Sequence, residues 1–180
     1  MKTSGDRRQK TAVKMKLAAL CLASTAALLA AASDWRSATE SELKQLIPAR
    51  ASVEKEHIET EFRTASGATD GKGKFVAGVV LITAGYAAEG KYSNFFLTQV
   101  PMRVGDIALS AGDYVFGWRR KDDDTLTVKF YEAHSGKFLG DVEAHRLSRV
   151  GRIESFRISP PKEKPFIQIG RFGMSYTLSD

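Results

Sequence analysis

Apolar and polar residues alternate with period two through much of the chain, most clearly between Gly112 and His145. Tyr114, Phe116 and Trp118 fall on one face, with Val115, Gly117 and Arg119 on the other. After Asp122, Asp123 and Asp124, the residues Leu126, Val128 and Phe130 alternate with Thr127 and Lys129. Successive side chains of a strand point to opposite faces, so two such runs joined by a short polar segment predict an antiparallel hairpin with the aspartates at its tip. Trp118, sharing a face with Tyr114 and Phe116, is expected in the core. His134-Ser135-Gly136 then turns the chain into a third strand carrying Phe138 and Val142.

The same reading extends in both directions. In "SATESELKQLIP", Thr39 and Glu42 have capping-box spacing, Leu43, Leu46 and Ile47 form an apolar stripe, and Pro48 stops the helix. In "VEKEHIETEFRT", Ile58, Thr60, Phe62 and Thr64 alternate with Glu59, Glu61 and Arg63, which predicts a strand. A helix competes there, since Ile58 and Phe62 are also four apart. Ala65–Gly73 reads as a Gly/Asp turn. "KFVAGVVLIT" is nearly continuous in apolar residues, as a strand buried on both faces would be. "GKYSNFFLTQVPMRV" is a further strand with a break at Pro101, and "DIALSAGDY" turns at Ala111-Gly112. "RIESFRIS", "PFIQIGRF" and "MSYTLS" are three more, separated by "PPKEK" and Gly173. Many short strands at this spacing predict a mainly β fold, a single antiparallel sandwich or barrel-like domain with a short N-terminal helix.

The first 32 residues follow a different pattern. Lys2, Arg7, Arg8, Lys10, Lys14 and Lys16 precede the apolar run Leu17 to Ala32, and polar "SDWRSATES" follows. A basic opening, a short apolar run and small residues at Ala30 and Ala32 predict a signal peptide cleaved after Ala32. The run is Ala-rich and shorter than the roughly 20 apolar residues of a membrane span. Met15 is an alternative start. The expected organisation is 1–32 signal peptide, 33–56 N-terminal helix and linker, and 57–180 antiparallel β domain, in the periplasm or outside the cell.

Removing the signal changes the chemistry of the whole. The 180 residues carry 27 Lys/Arg and 21 Asp/Glu, a net charge of +6. Residues 1–32 hold six of those bases and one acid, which leaves 21 against 20, or +1. The inference from a basic chain to nucleic acid therefore fails, and no membrane span is expected after cleavage. Cys21, the single cysteine, lies inside the signal. The mature chain then has no disulfide, no thiolate metal site and no cysteine nucleophile.

Candidate chemistry is sparse. An EF-hand loop starting at Asp122 would need Gly at its sixth position and Glu at its twelfth, where Thr127 and Ala133 stand. Asp70–Lys74 lacks the P-loop spacing. His57, His134 and His145 are far apart in sequence, no serine sits in a G-x-S-x-G elbow, and no cofactor or metal is expected. Ser135 and Ser148 stand in turn and polar contexts. "TAGYAAEGKYSNFF", residues 83–96, is the apolar stretch most suggestive of a site. The C-terminal third is locally basic: Arg146, Arg149, Arg152 and Arg157, followed by Lys162, Lys164 and Arg171. The first four are the candidate anion-facing patch, for an acidic glycan, a lipid head group or an acidic protein. Alternatively they are offset within the fold by Glu54, Glu56, Glu59 and Glu61.

"LSAGDYVFGW" through "DDDTLTVKFYEAHSGKFLG" resembles the L-x-x-G-x-Y strand, acidic turn and closing G-K strand of small exported bacterial β-sandwich proteins of unknown function, over about the middle third of the chain. The resemblance implies a sandwich and carries no catalytic or binding residue. The expected role is a non-catalytic binding or envelope-associated β-module. The alternative is an extracytoplasmic, hydrolase-like enzyme whose site assembles only in three dimensions. An apolar cleft with convergent polar groups would favour a ligand binder or enzyme; a filled core with one broad basic face would favour a macromolecular partner.

Overall fold

The computed structural model describes residues 34–148, 152–162 and 164–179; the expected signal peptide and Arg149 lie outside them. The described residues form strands β1 (Arg36–Ser37), β2 (Arg50–Val53), β3 (Glu56–Thr69), β4 (Phe75–Leu81), β5 (Asn94–Thr98), β6 (Met102–Val104) and β7 (Ile107–Leu109). They continue with β8 (Gly112–Arg120), β9 (Thr125–Glu132), β10 (Phe138–Arg146), β11 (Glu154–Ile158), β12 (Phe166–Gly170) and β13 (Phe172–Leu178). Helix α1 spans Glu40–Leu46 and a single turn, α2, spans Gly85–Ala88. None of these helices is long and apolar enough to cross a membrane.

The strands pair antiparallel in the order β3-β4-β5-β8-β9-β10-β13-β12-β11, with β1 and β2 on β3 and the β6–β7 hairpin on β13. The ribbon curls until its last strand lies beside its first. Across that seam the Ile158 N–H donates to Ser66 Oγ at 2.9 Å, and the Phe156 ring packs over Gly78. The result is a nearly closed, barrel-like sheet, which decides the open choice between sandwich and barrel.

Alternation explains both layers of burial. Val76, Phe96, Phe116, Val128, Phe130, Phe156 and Met174 fill the inside. Met102, Val104, Ile107 and Leu109 of β6 and β7 join them, where β6 pairs with the C-terminal end of β13. That end of the barrel is filled. On the outside, Ala77, Val79, Leu81, Phe95, Leu97 and Val115 are covered by Leu43 of α1, by Ile47 at its C-cap and by Ala51 and Val53 of β2. This second layer is why "KFVAGVVL" is apolar on both faces, as expected. Helix α1 starts at the predicted capping box, where Thr39 and Glu42 exchange bonds. Arg36 and the Thr39 backbone N–H hold the Glu42 carboxyl down to about 2.

Two expected turns are corrected. Strand β3 continues through Ala65–Thr69, and only Asp70 to Gly73 turns. Its small residues allow close packing: a Cβ on Gly67 would stand 2.8 Å from the Val76 carbonyl and 3.0 Å from Leu43. Gly173 lies inside β13, and the reversal occurs at Gly170, whose φ of 58° is left-handed. The break at Pro101 falls as expected, between β5 and β6. Segment 33–56 contributes β1 and β2 as well as the helix.

Candidate functional site: the open end of the barrel

The aspartate tip is a turn. Asp122 Oδ1 accepts from the Asp124 N–H at 2.9 Å, and the Lys121 N–H reaches the Thr125 carbonyl at 3.0 Å. Asx bonding of this kind is how aspartate favours turns. The tip lies at one end of the barrel, and that end differs from the filled one.

Asn94 opens β5, paired with Val80 of β4 and Phe116 of β8. It shares the parity of Phe96, so it faces inward. Its side chain is 2% exposed, and its amide Nδ2 has no hydrogen-bond partner. A buried amide donor without a partner costs about 1–3 kcal/mol, so the position calls for a reason. It lines a cavity of about 460 Å³ at this end of the barrel. Val80, Leu126, Ile169 and Phe172 form apolar walls, Thr83, Ser93 and Ser155 add hydroxyls, and Arg120 and Arg171 bring charge. The strand ends bring these residues together: β4 and β8 finish here, β5, β9 and β13 begin here, and the Gly170 turn closes the circle.

Trp118 corrects an expectation. It shares the inner face of Tyr114 and Phe116, yet it is 39% exposed and lines the cavity. Strand β8 outruns the filled interior, so its third inward residue meets open space. Ile82 and Ile153, both exposed, adjoin other residues of this end. Three of the four large apolar side chains exposed among the described residues therefore collect at one end.

The arginines singled out from the sequence are not brought together in one site. Arg146 pairs with Asp124 at 3.3 Å and Arg152 with Glu154 at 3.3 Å. Arg157 stands exposed on β11 beside a polar groove along the seam, lined also by Arg63, Thr64, Ser66 and Glu154. Arg149 lies outside the described residues. The glutamates expected to offset these arginines are engaged elsewhere. Glu59 pairs with Arg50 at 2.9 Å, Glu61 with Arg63 at 3.0 Å and Glu54 with Lys91 at 3.2 Å, while Glu56 accepts from Tyr86 at 3.1 Å. The offset comes from local partners because the glutamates sit on or beside the β2–β3 hairpin, next to Arg50 and Arg63.

Reactive groups elsewhere are few. Tyr92, buried on the outer face, donates to Glu54; burial first, and then that carboxylate, push its hydroxyl up to about 12. Such a phenol stays neutral and serves packing. Ser52 Oγ lies 3.3 Å from His57 Nδ1 across the β2–β3 ladder, and both residues are exposed. Ser135 bonds to Glu132. Among the described residues no group of three or more His, Cys, Asp or Glu is placed to hold a metal ion.

The stretch 83–96 does contribute to the site, through Thr83, Ala87, Ser93 and Asn94. Sequence reading missed Asn94 itself. Its signal was a polar residue at the inward parity of "NFFLT", where an apolar one belongs. No protein-family model, curated protein or solved structure matches the chain.

Proposed function

We propose that the protein is a non-catalytic binding module that takes a small, largely apolar molecule into the open end of its barrel. The carrying observation is that Asn94, buried and with its Nδ2 unpartnered, is among the residues lining a cavity with apolar walls. Ligand sites are mostly apolar hollows of roughly 300–1,000 Å³ with a few placed polar groups. A ligand oxygen would complete the Asn94 bond, and Trp118 would report its arrival. Among the described residues the hydrolase-like alternative finds only the Ser52–His57 pair, which lies outside the cavity. Export belongs to this reading, supported by the basic opening and the apolar run of residues 17–32. An intact mass starting near Ser33 in protein isolated from its source tests it.

The binding test is tryptophan fluorescence of the purified protein titrated with 10-hydroxydecanoate, decane-1,10-diol and 10-aminodecanol, which share one body and one hydroxyl. Saturable binding of at least one is expected, with the signal change lost in Trp118→Phe. Ala87→Trp, an exposed substitution that occludes the opening, should weaken binding by tenfold or more. Failure of all three compounds to bind saturably would overturn the reading, as would unaltered binding in Ala87→Trp.

A further inference from the structure

The charges around the cavity specify the ligand further, an inference that rests on the binding reading above. The residues lining it include two cations, Arg120 and Arg171, and no acid. The guanidinium of Arg120 lies 5.7 Å from the centre of the Phe172 ring, itself part of the wall. Its carboxylate neighbour, Asp123, is 3.7 Å away with a side chain 97% exposed, so water screens the pair. Arg171 forms no ion pair among the described residues. Of the other cations at this end, Arg146 and Arg152 reach carboxylates at 3.3 Å and Lys121 is paired with Glu143, while Arg119 donates to the Glu89 carbonyl at 2.9 Å. Two under-compensated positive charges thus border a low-dielectric hollow, an arrangement that concentrates positive potential there.

Distance separates this charge from the Asn94 amide. Asn94 is opposite Phe116, and Arg120 lies four residues further along β8. At roughly 3.3 Å per residue that is about 13 Å of strand. One small anionic group does not satisfy both ends, whereas an elongated molecule does. At ~30 Å³ per water-sized unit, the cavity holds about fifteen such units. Guanidinium groups match carboxylate geometry with paired hydrogen bonds.

We propose that the ligand is an oxygenated apolar carboxylate: an anionic head on Arg120 and Arg171, an apolar body against Val80, Trp118 and Ile169, and a second oxygen at the inner end for Asn94. The three matched compounds differ only at the head, so they test it directly. 10-Hydroxydecanoate should bind about tenfold tighter than decane-1,10-diol at low salt, and 10-aminodecanol weakest. Arg120→Gln combined with Arg171→Gln should remove the preference for the anion, so that 10-hydroxydecanoate and decane-1,10-diol bind the variant equally. Arg120→Lys with Arg171→Lys should keep most of it. Both positions are exposed, so these variants do not threaten the core. Equal binding of anion and diol would overturn the proposal and leave the binding reading standing. A preference that survives the glutamine pair would overturn it too, by placing the cation elsewhere. Failure of all three compounds to bind would remove both readings.

Discussion

Replacing Asn94 with leucine should make the protein more stable and a poorer binder. The side chain is 2% exposed and its Nδ2 is unpartnered. Folding strips water from that donor and gives nothing back, a cost of about 1–3 kcal/mol. Leucine has nearly the same size and no polar atom, and the surrounding walls include Val80 and Leu126. Refitting a branched side chain costs up to about 1 kcal/mol of strain. The net gain is then about 1–2 kcal/mol. For a domain of this size each kcal/mol moves Tm by about 2–4 °C, so Asn94→Leu should melt about 2–8 °C higher without ligand. Urea unfolding should show a raised midpoint at an unchanged slope. The same variant should bind 10-hydroxydecanoate at least fivefold more weakly. A variant less stable than the parent would refute the reasoning, because it would mean that Asn94 already has a partner in the free protein.

Gly78→Ala should lose about 1–2 kcal/mol, since a Cβ there would lie 2.8 Å from both the Phe156 ring and the Phe95 carbonyl. Combining it with Phe156→Leu should restore part of that loss, read as coupling in a double-mutant cycle. Asp123→Ala should change stability by less than about 1 kcal/mol, and calcium should leave Tm where it is. A calcium-dependent rise lost in that variant would show that the hairpin tip binds metal. The Tyr92 hydroxyl titrates at about 12 in the folded state against 10.0 ordinarily. The unfolded chain thus releases its proton first, and stability should fall as pH rises from about 10 to about 12. Tyr92→Phe should flatten that decline in pH-dependent melting.

Where one physical signal dominated, the sequence was a good guide. Period-two alternation located β8, β9 and β10, because each of these strands has an inside and an outside. The capping box located α1, because its bonds are local. The β3 extension through Ala65–Thr69 was hidden, since its Ser, Gly and Ala residues suit a turn in isolation. Only close approach to Val76 and Leu43 makes a strand of them. Trp118 was misplaced for a related reason: parity tells which way a side chain points and not how far along the barrel the filling extends. The cavity joins the ends of seven strands and α2, so no single window of sequence contains it. The arginine cluster was visible as composition, but its partners depend on which hairpins lie alongside.

The seam between β3 and β11 carries a consequence for behaviour at high concentration. No backbone ladder joins these two strands among the described residues; β2 and β1 cover the two ends of the β3 edge, which leaves its middle, around Glu61 to Ser66, and β11 as open edges. Such edges are templates for strands of other molecules, and full closure is the usual protection. Here protection comes from irregularity and charge. The register slips between Glu61 and Ser66 on β3 and between Glu154 and Arg157 on β11, and Arg63, Glu154 and Arg157 stand over the groove. A straight, uncharged version of the same seam would let barrels add to one another edge to edge and polymerise. Arg157, read from sequence as part of an anion-facing patch, stands at this edge, where its charge opposes edge-to-edge addition.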